Sequence, residues 1–419
     1  MSFGTDEILT HPDVLIIGTG AAGIAAAAGA YHSNASVTIL EKNSYPGGKA
    51  TAAFVGTICG LYYRSENAPE FVNKGFPMEF AIELANKSET TALQFDKGLH
   101  FLPYDHSEFV NLCELSIKKT TNSVVYHANV SGVEKENNRI ISVTSFVENR
   151  KVKFYPKVVV DASGENLLSG YLGINYIESD NYQAAAQVFQ LSGISETDHS
   201  VTKLSLIRSL QKGIEAGIIS ETFSGLSIVP GSLRNGNVLL KLPLPGIIDH
   251  KLLHRTALDL HARKLTVMVF KFLKVHCELF KKCSLTFIAP EAGIRTGPRN
   301  EGKYLLRADE VLSAKKNDAY ISRGAWPVEF WEPGKKVRMD YFTMNDYYDI
   351  PAGALCSKNI ANLFFGGRNI SADDTAIASA RVIGTCLATG YAAGSLAAGN
   401  ANNIDEEISI QKIRNSLSI

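Results

Sequence analysis

Val14-Leu15-Ile16-Ile17-Gly18-Thr19-Gly20-Ala21-Ala22-Gly23, running on through alanines to Ala30 and followed by Val37-Thr38-Ile39-Leu40-Glu41, decides how the rest of the chain is read. The first four residues form an unbroken apolar run, as expected of a central parallel strand covered on both faces. Three glycines at G-x-G-x-x-G spacing then open an alanine-rich helix to about His32. A second apolar strand closes on Glu41, 18 residues past Gly23. In this setting Gly18 permits a tight turn, Gly20 lets the backbone approach a pyrophosphate, and Gly23 lets the helix pack on the strand. The N–H groups at the helix start then face the phosphates. Glu41 would accept hydrogen bonds from ribose hydroxyls, and a carboxylate there disfavours a 2′-phosphate. A membrane span wants about 20 uninterrupted apolar residues, and a signal peptide wants a basic start. Here Asp13 precedes the run and glycines punctuate it at 18, 20, 23 and 29.

Composition narrows the partners. The 419 residues are enough for two closely joined domains. The 42 basic and 42 acidic side chains cancel, so no overall field favours nucleic acid or an anionic membrane. The six cysteines, at 59, 113, 277, 283, 356 and 386, include no C-x-x-C pair. That pattern argues against a disulfide reductase, a zinc centre and a disulfide-stapled secreted fold. The expectation is therefore a cytoplasmic protein with no metal and no transmembrane segment.

Outward from the glycine turn, the chain divides. Met78–Asn86 has a helical pattern. Ser123–Val133, Arg139–Glu148 and Lys151–Tyr155 read as three antiparallel strands, and Val158–Val160 as another buried strand ending at Asp161-Ala162-Ser163-Gly164. From about Tyr171 the character changes: strands over Gln183–Leu191 and Gly231–Lys241 alternate with helices over Leu204–Ala216 and Thr256–Lys282. After Pro290 the first domain resumes, with a strand at Leu363–Phe365 and a closing helix over Thr375–Ala398. The fold class expected is α/β: a Rossmann-type nucleotide-binding domain, its parallel sheet carrying helices and a three-stranded antiparallel insertion, plus an α+β substrate domain. The boundaries read as 1–170 and 290–399 for the first domain, 171–289 for the insertion, and 400–419 for a polar, peripheral tail.

Three further features separate FAD from NAD as the dinucleotide: Tyr45-Pro46-Gly47-Gly48 after Glu41, the three-strand insertion, and Gly366-Gly367-Arg368 at a strand end before a small-residue helix. With these in place the sequence resembles the flavoprotein superfamily of fumarate reductases and related FAD-dependent oxidoreductases. Its C-terminal third is similar to the group described simply as FAD-dependent oxidoreductases. Glu291-Ala292-Gly293-Ile294-Arg295, Ile321–Trp326, Tyr347–Pro351, Leu363–Ser371 and Arg381–Gly390 carry that resemblance. The resemblance implies a non-covalent FAD held by Gly18, Gly20, Ala22, Gly23, Glu41 and Lys42 at its ADP part. Gly48, Lys49 and Thr51 would follow towards the pyrophosphate, with Val130, Ala162 and Gly164 beside the adenosine. Gly367 and Arg368 would lie along the pyrophosphate and ribityl chain. The helix start around Arg381–Thr385 would face the flavin C2 carbonyl and N1. The chain departs from the family at Asp373 and Asp374, where a histidine is common, and at Gly384, where a proline is common.

Candidates for chemistry lie in two loops. Thr51–Gly60 carries Cys59, read either as a thiol at the flavin face or as a small buried hydrophobe. Trp326–Tyr348 is dense in aromatic and charged groups. Arg323, Trp326, Tyr347 and Tyr348 are the candidates there for substrate contact and catalysis. Arg295 and Arg299 stand open between binding a substrate carboxylate and pairing with Glu291 and Glu301. The expected function is an FAD-dependent dehydrogenase, oxidase or monooxygenase acting on a small organic or peptide-borne substrate. Two alternatives stand beside it: a flavoprotein that modifies a partner protein's side chain, as in maturation of tryptophan-derived quinones, and a flavin-binding partner without turnover. A halogenase is disfavoured because W-x-W-x-I-P is absent, and no second G-x-G-x-x-G marks an NAD(P)H domain.

Overall fold

The computed structural model describes residues 8–180, 182–245, 253–332 and 337–419, so part of the Trp326–Tyr348 loop lies outside the described residues. At its centre is a five-stranded parallel sheet. Its order is Leu363–Phe365, Val158–Asp161, Val14–Ile17, Val37–Leu40 and Ser123–Val125. Every residue of the three middle strands is buried, with no alternation, because both faces of the sheet are covered.

The alanine-rich helix Ala21–His32 packs along a second helix, Ile383–Ala401, at near backbone contact. A Cβ placed on Gly394 would lie 1.9 Å from the Ala26 carbonyl oxygen, and one on Gly390 would lie 2.2 Å from that of Ala22. This close approach explains why both helices are built almost wholly of alanine, glycine and small polar residues. It also explains the apolar Val14–Ala30 stretch, whose helix is buried from Ala22 to Ala30. Among the described residues no single helix is long and apolar enough to cross a membrane. The pair Asp374–Ala380 and Ile383–Ala401 passes such a test only jointly, bent by 96°.

Several elements differ from the expectation. Ser123–Val133 is not one strand: His127 takes a positive φ of 54°, so Ser123–Val125 joins the parallel sheet while Ala128–Glu136 pairs antiparallel with Arg139–Val147. The closing helix is likewise broken at Arg381-Val382. The stretch expected to be a peripheral tail forms a helix, Glu406–Leu417, that buries Ile410, Ile413 and Leu417.

A four-stranded antiparallel sheet forms a second layer, in the order Ser227–Ile228, Asn237–Pro243, Ala186–Ser192 and Ser284–Ile288. Its side chains alternate with the pleat. Phe189, Leu191, Val238, Leu240 and Leu242 pack against the helices His199–Glu215 and His254–His276 in a core of their own. Ala186, Val188 and Lys241 face the opposite way, toward a cavity shared with the parallel sheet. Val188 and Lys241 are directly paired across the two strands.

Candidate functional site

That cavity has a volume of about 540 Å³ and runs from the glycine turn to the antiparallel sheet. At the turn, two of the three glycines are demanded by the protein itself. Gly18 has a φ of +99°, and a Cβ there would come 2.9 Å from the Ala162 carbonyl oxygen. A Cβ on Gly23 would come 1.9 Å from the Gly18 carbonyl oxygen. Gly20 is different. Its φ is an ordinary −65°, and a Cβ there would meet nothing nearer than the Gly48 Cα at 3.9 Å. Folding leaves this position free to carry a side chain; the space beside it belongs to the cavity. Gly20 also starts the Ala21–His32 helix without a side-chain cap, so the first N–H groups are left for an acceptor in the cavity.

Glu41 closes its strand with 5% exposure. One carboxylate oxygen accepts from the Thr19 N–H at 2.8 Å and the Thr19 hydroxyl at 2.7 Å, and the other accepts from the Asn43 N–H at 2.9 Å. The side chain is thus fixed at the cavity wall. Lys42, Ala22 and Val130 line the same end. The Val130 carbonyl already accepts the Tyr171 hydroxyl at 2.9 Å.

Midway, the charged side chains are paired. Lys49 bonds Glu291. Arg368 donates to the Gly164 carbonyl at 3.0 Å and to Glu165 at 2.9 Å, and Arg255 reaches Glu165 at 2.5 Å. Burial alone would raise the Glu165 pKa, but the two guanidiniums hold it down to about 2. Gly48, Ala162 and Gly367 complete this wall. Three of the expected cofactor contacts, Gly23, Thr51 and Thr385, do not line the cavity. Thr51 is buried and its hydroxyl donates to the Pro46 carbonyl at 2.8 Å, tying the Gly47-Gly48 turn. Thr385 is fully buried inside its helix. Gly23 acts through packing, not contact.

The far end is lined by Thr57, Cys59, Lys241, Arg295, Glu329, Arg381 and Val382. Glu329 is its hub. Trp326 donates its indole N–H to one oxygen at 2.8 Å, and Trp331 donates to the other at 2.7 Å. Burial would raise Glu329, yet Arg381, the indole bond, Lys241 and Arg295 keep it below the usual carboxylate range. Arg295 and Lys241 lie against the Trp331 ring, at 4.4 and 4.8 Å from its centroid. Burial pushes Arg295 down to about 9, with Arg381 adding to the effect. The Cys59 thiol is pushed up to about 12 by burial and then by Glu329. Burial at the cavity wall thus favours the neutral thiol over the thiolate at this position.

The remaining candidates lie elsewhere. Tyr348 is fully buried, its hydroxyl 2.9 Å from that of Ser379. Arg323 lies over the Tyr347 ring at 4.3 Å and 3.8 Å from Asp349. These residues belong to a ribbon in which Tyr320–Gly324 pairs with Tyr348–Pro351, and none of them borders the cavity. Trp326 stands one layer back, acting on the site through Glu329. The structure thus places Arg323, Tyr347 and Tyr348, expected at the substrate, outside the lining of this cavity. Arg299, also left open, is buried and bonded to Asp374 at 2.7 Å. Lys241 escaped the sequence reading, although a lysine between Leu240 and Leu242 in an apolar strand was a legible signal.

Residues 13–417 match the family described as FAD dependent oxidoreductase. No curated protein matches the sequence significantly. Among solved structures, the chain is similar to OxyS anhydrotetracycline hydroxylase from Streptomyces rimosus, with 10% identity, 98% of this chain and 67% of that one covered, and a TM-score of 0.50. It is also similar to the flavin-dependent brominase Bmp2, with 14% identity, coverage of 97% and 83%, and a TM-score of 0.50. At such identities the likeness is one of fold.

Proposed function

This chain belongs to the family of FAD dependent oxidoreductases, and from that premise we propose that it oxidises or reduces a small organic molecule at the Lys241–Glu329–Arg381 end of the cavity. FAD held there without a covalent bond would supply the two-electron chemistry. The observation that carries the reading is Gly20: a position the fold leaves free of strain and contact, open only toward the cavity. Its missing side chain fits the approach of a pyrophosphate to the backbone and is otherwise unexplained. Glu41, fixed by Thr19 and Asn43, would hold ribose hydroxyls at one end.

The protein's own groups do the rest. Lys49 and Arg368 are oriented by Glu291 and Glu165, so they would meet the phosphates without reorganising. The bend at Arg381-Val382 brings the start of the Ile383–Ala401 helix to the cavity wall, where its N–H groups favour negative charge. Glu329, held by the two indole N–H groups, sets a negative charge among the three cations. No residue of the site favours a partner protein's side chain over a free small molecule.

Acid precipitation of the purified chain tests the reading. All yellow colour should leave with the supernatant as FAD. Colour retained on the denatured chain, FMN in the supernatant, or a colourless preparation that FAD does not reconstitute would each refute it.

A further inference from the structure

The charges around the cavity are balanced along most of its length but not at the end farthest from Glu41. There Lys241, Arg295 and Arg381 face a single carboxylate, Glu329. Among the described residues no ion pair joins Glu329 to any of the three: its oxygens are taken by the two indole N–H groups. Among the described residues the Lys241 ammonium makes no hydrogen bond there and rests on the Trp331 ring, at 4.8 Å. Arg381 uses one terminal nitrogen on the Gln183 amide oxygen at 3.1 Å and the Glu329 carbonyl at 3.0 Å, while its Nε is buried without an acceptor. The Gln183 Nε2 beside it is a second buried donor lacking an acceptor.

Three enclosed cations against one carboxylate leave a surplus of two positive charges. Uncompensated charge in such a place is costly, and donors without acceptors add to the cost. An oxyanion between Lys241 and Arg381 relieves both at once: it neutralises charge and accepts the unused N–H groups, in charge-assisted bonds. Burial also lowers the pKa of Lys241, with Arg295 adding to it, as expected of a cation waiting for a partner. We infer that the substrate of this enzyme is an organic carboxylate, seated against Lys241, Arg295 and Arg381. The inference rests on the functional reading above for the word substrate, but the anion site stands on these side chains alone.

Calorimetric titration of the FAD-loaded full chain tests it, at constant ionic strength, with acetate, succinate and benzoate set against acetamide, succinamide and benzamide. At least one carboxylate should bind one per chain and at least tenfold more tightly than its neutral amide. Lys241→Met should weaken that binding tenfold or more at unchanged FAD content, and Arg295→Met gives the same reading should the first variant lose its flavin. Equal affinity for acid and amide, no binding by any of the three acids, or binding that survives both substitutions overturns the inference. If the cations serve only the reduced flavin, Lys241→Met lowers the flavin potential while the oxidised protein binds no carboxylate, which also overturns it. FAD per chain, counted in the same samples, reports separately on the cofactor: binding with this residue dependence in a chain that takes up no FAD keeps the anion site and removes the flavin reading.

Discussion

His106 shows how one side chain can set a pH limit. Its ring stacks on Phe54 with centroids 3.9 Å apart, and its Nε2 is buried without a partner. Burial lowers its pKa from 6.5 to about 4, and Arg234 works in the same direction against Asp105. The unfolded chain takes up this proton near pH 6.5, and the folded chain resists it until about 4. Stability is therefore full above the higher value and falls as pH drops toward the lower one, by roughly 2 kcal/mol at pH 5. Urea unfolding at pH 7.5 and pH 5 should show a smaller pH-dependent loss in His106→Phe than in the parent; equal losses would count against a neutral buried imidazole. Cys59 makes the opposite kind of statement. With its thiol pushed up to about 12, alkylation at this residue should rise about tenfold per pH unit from 7 to 10. A plateau below pH 9, mapped by peptide mass, would restore the thiolate. At Gly20, substitution by valine should abolish FAD uptake and leave the far-ultraviolet circular dichroism unchanged, since the fold itself leaves room there. A variant with full flavin content would place the phosphate elsewhere.

The helix pair Ala21–His32 and Ile383–Ala401 sets the distances on which the site depends. Gly394→Ala must push a methyl group into the Ala26 carbonyl 1.9 Å away, and overpacking against backbone costs about 3 kcal/mol. A fall in the chemical unfolding midpoint should report it; an unchanged midpoint would mean the helices are not in contact there. This level also shows what could be read from sequence and what could not. Buried parallel strands announce themselves as Val14–Ile17 and Val158–Val160, because covering on both faces forces continuous apolar runs. The glycine turn and Glu41 are legible because their spacing is fixed by the turn itself. The break at Arg381-Val382 is not, since no proline marks it and apolar composition continues across it. The split at His127 depends on one residue taking a positive φ, which sequence marks only when it is glycine or asparagine. The far end of the cavity was the least legible part. Lys241, Arg295, Glu329 and Arg381 stand on four separate segments, and only the fold brings them to one wall. Density of aromatic residues pointed instead to Tyr347 and Tyr348, whose rings are used for packing.

Across the whole molecule, the cavity is walled by two sheets with separate cores. A dinucleotide along it would bind residues of both, so its binding energy adds to the stability of their association. Stripping FAD should lower the thermal midpoint of the chain, and FAD should restore it where FMN does not, because only the former would extend to Glu41. Restoration by FMN alone would argue that the adenosine end contributes nothing.

The chain's only two tryptophans, Trp326 and Trp331, both give their indole N–H to Glu329. Its tryptophan fluorescence therefore arises from this pair beside the cavity, with no tryptophan elsewhere in the chain to dilute it. The emission is a built-in optical gauge of that wall: dark with a flavin nearby to accept the excitation, and bright once the flavin is removed.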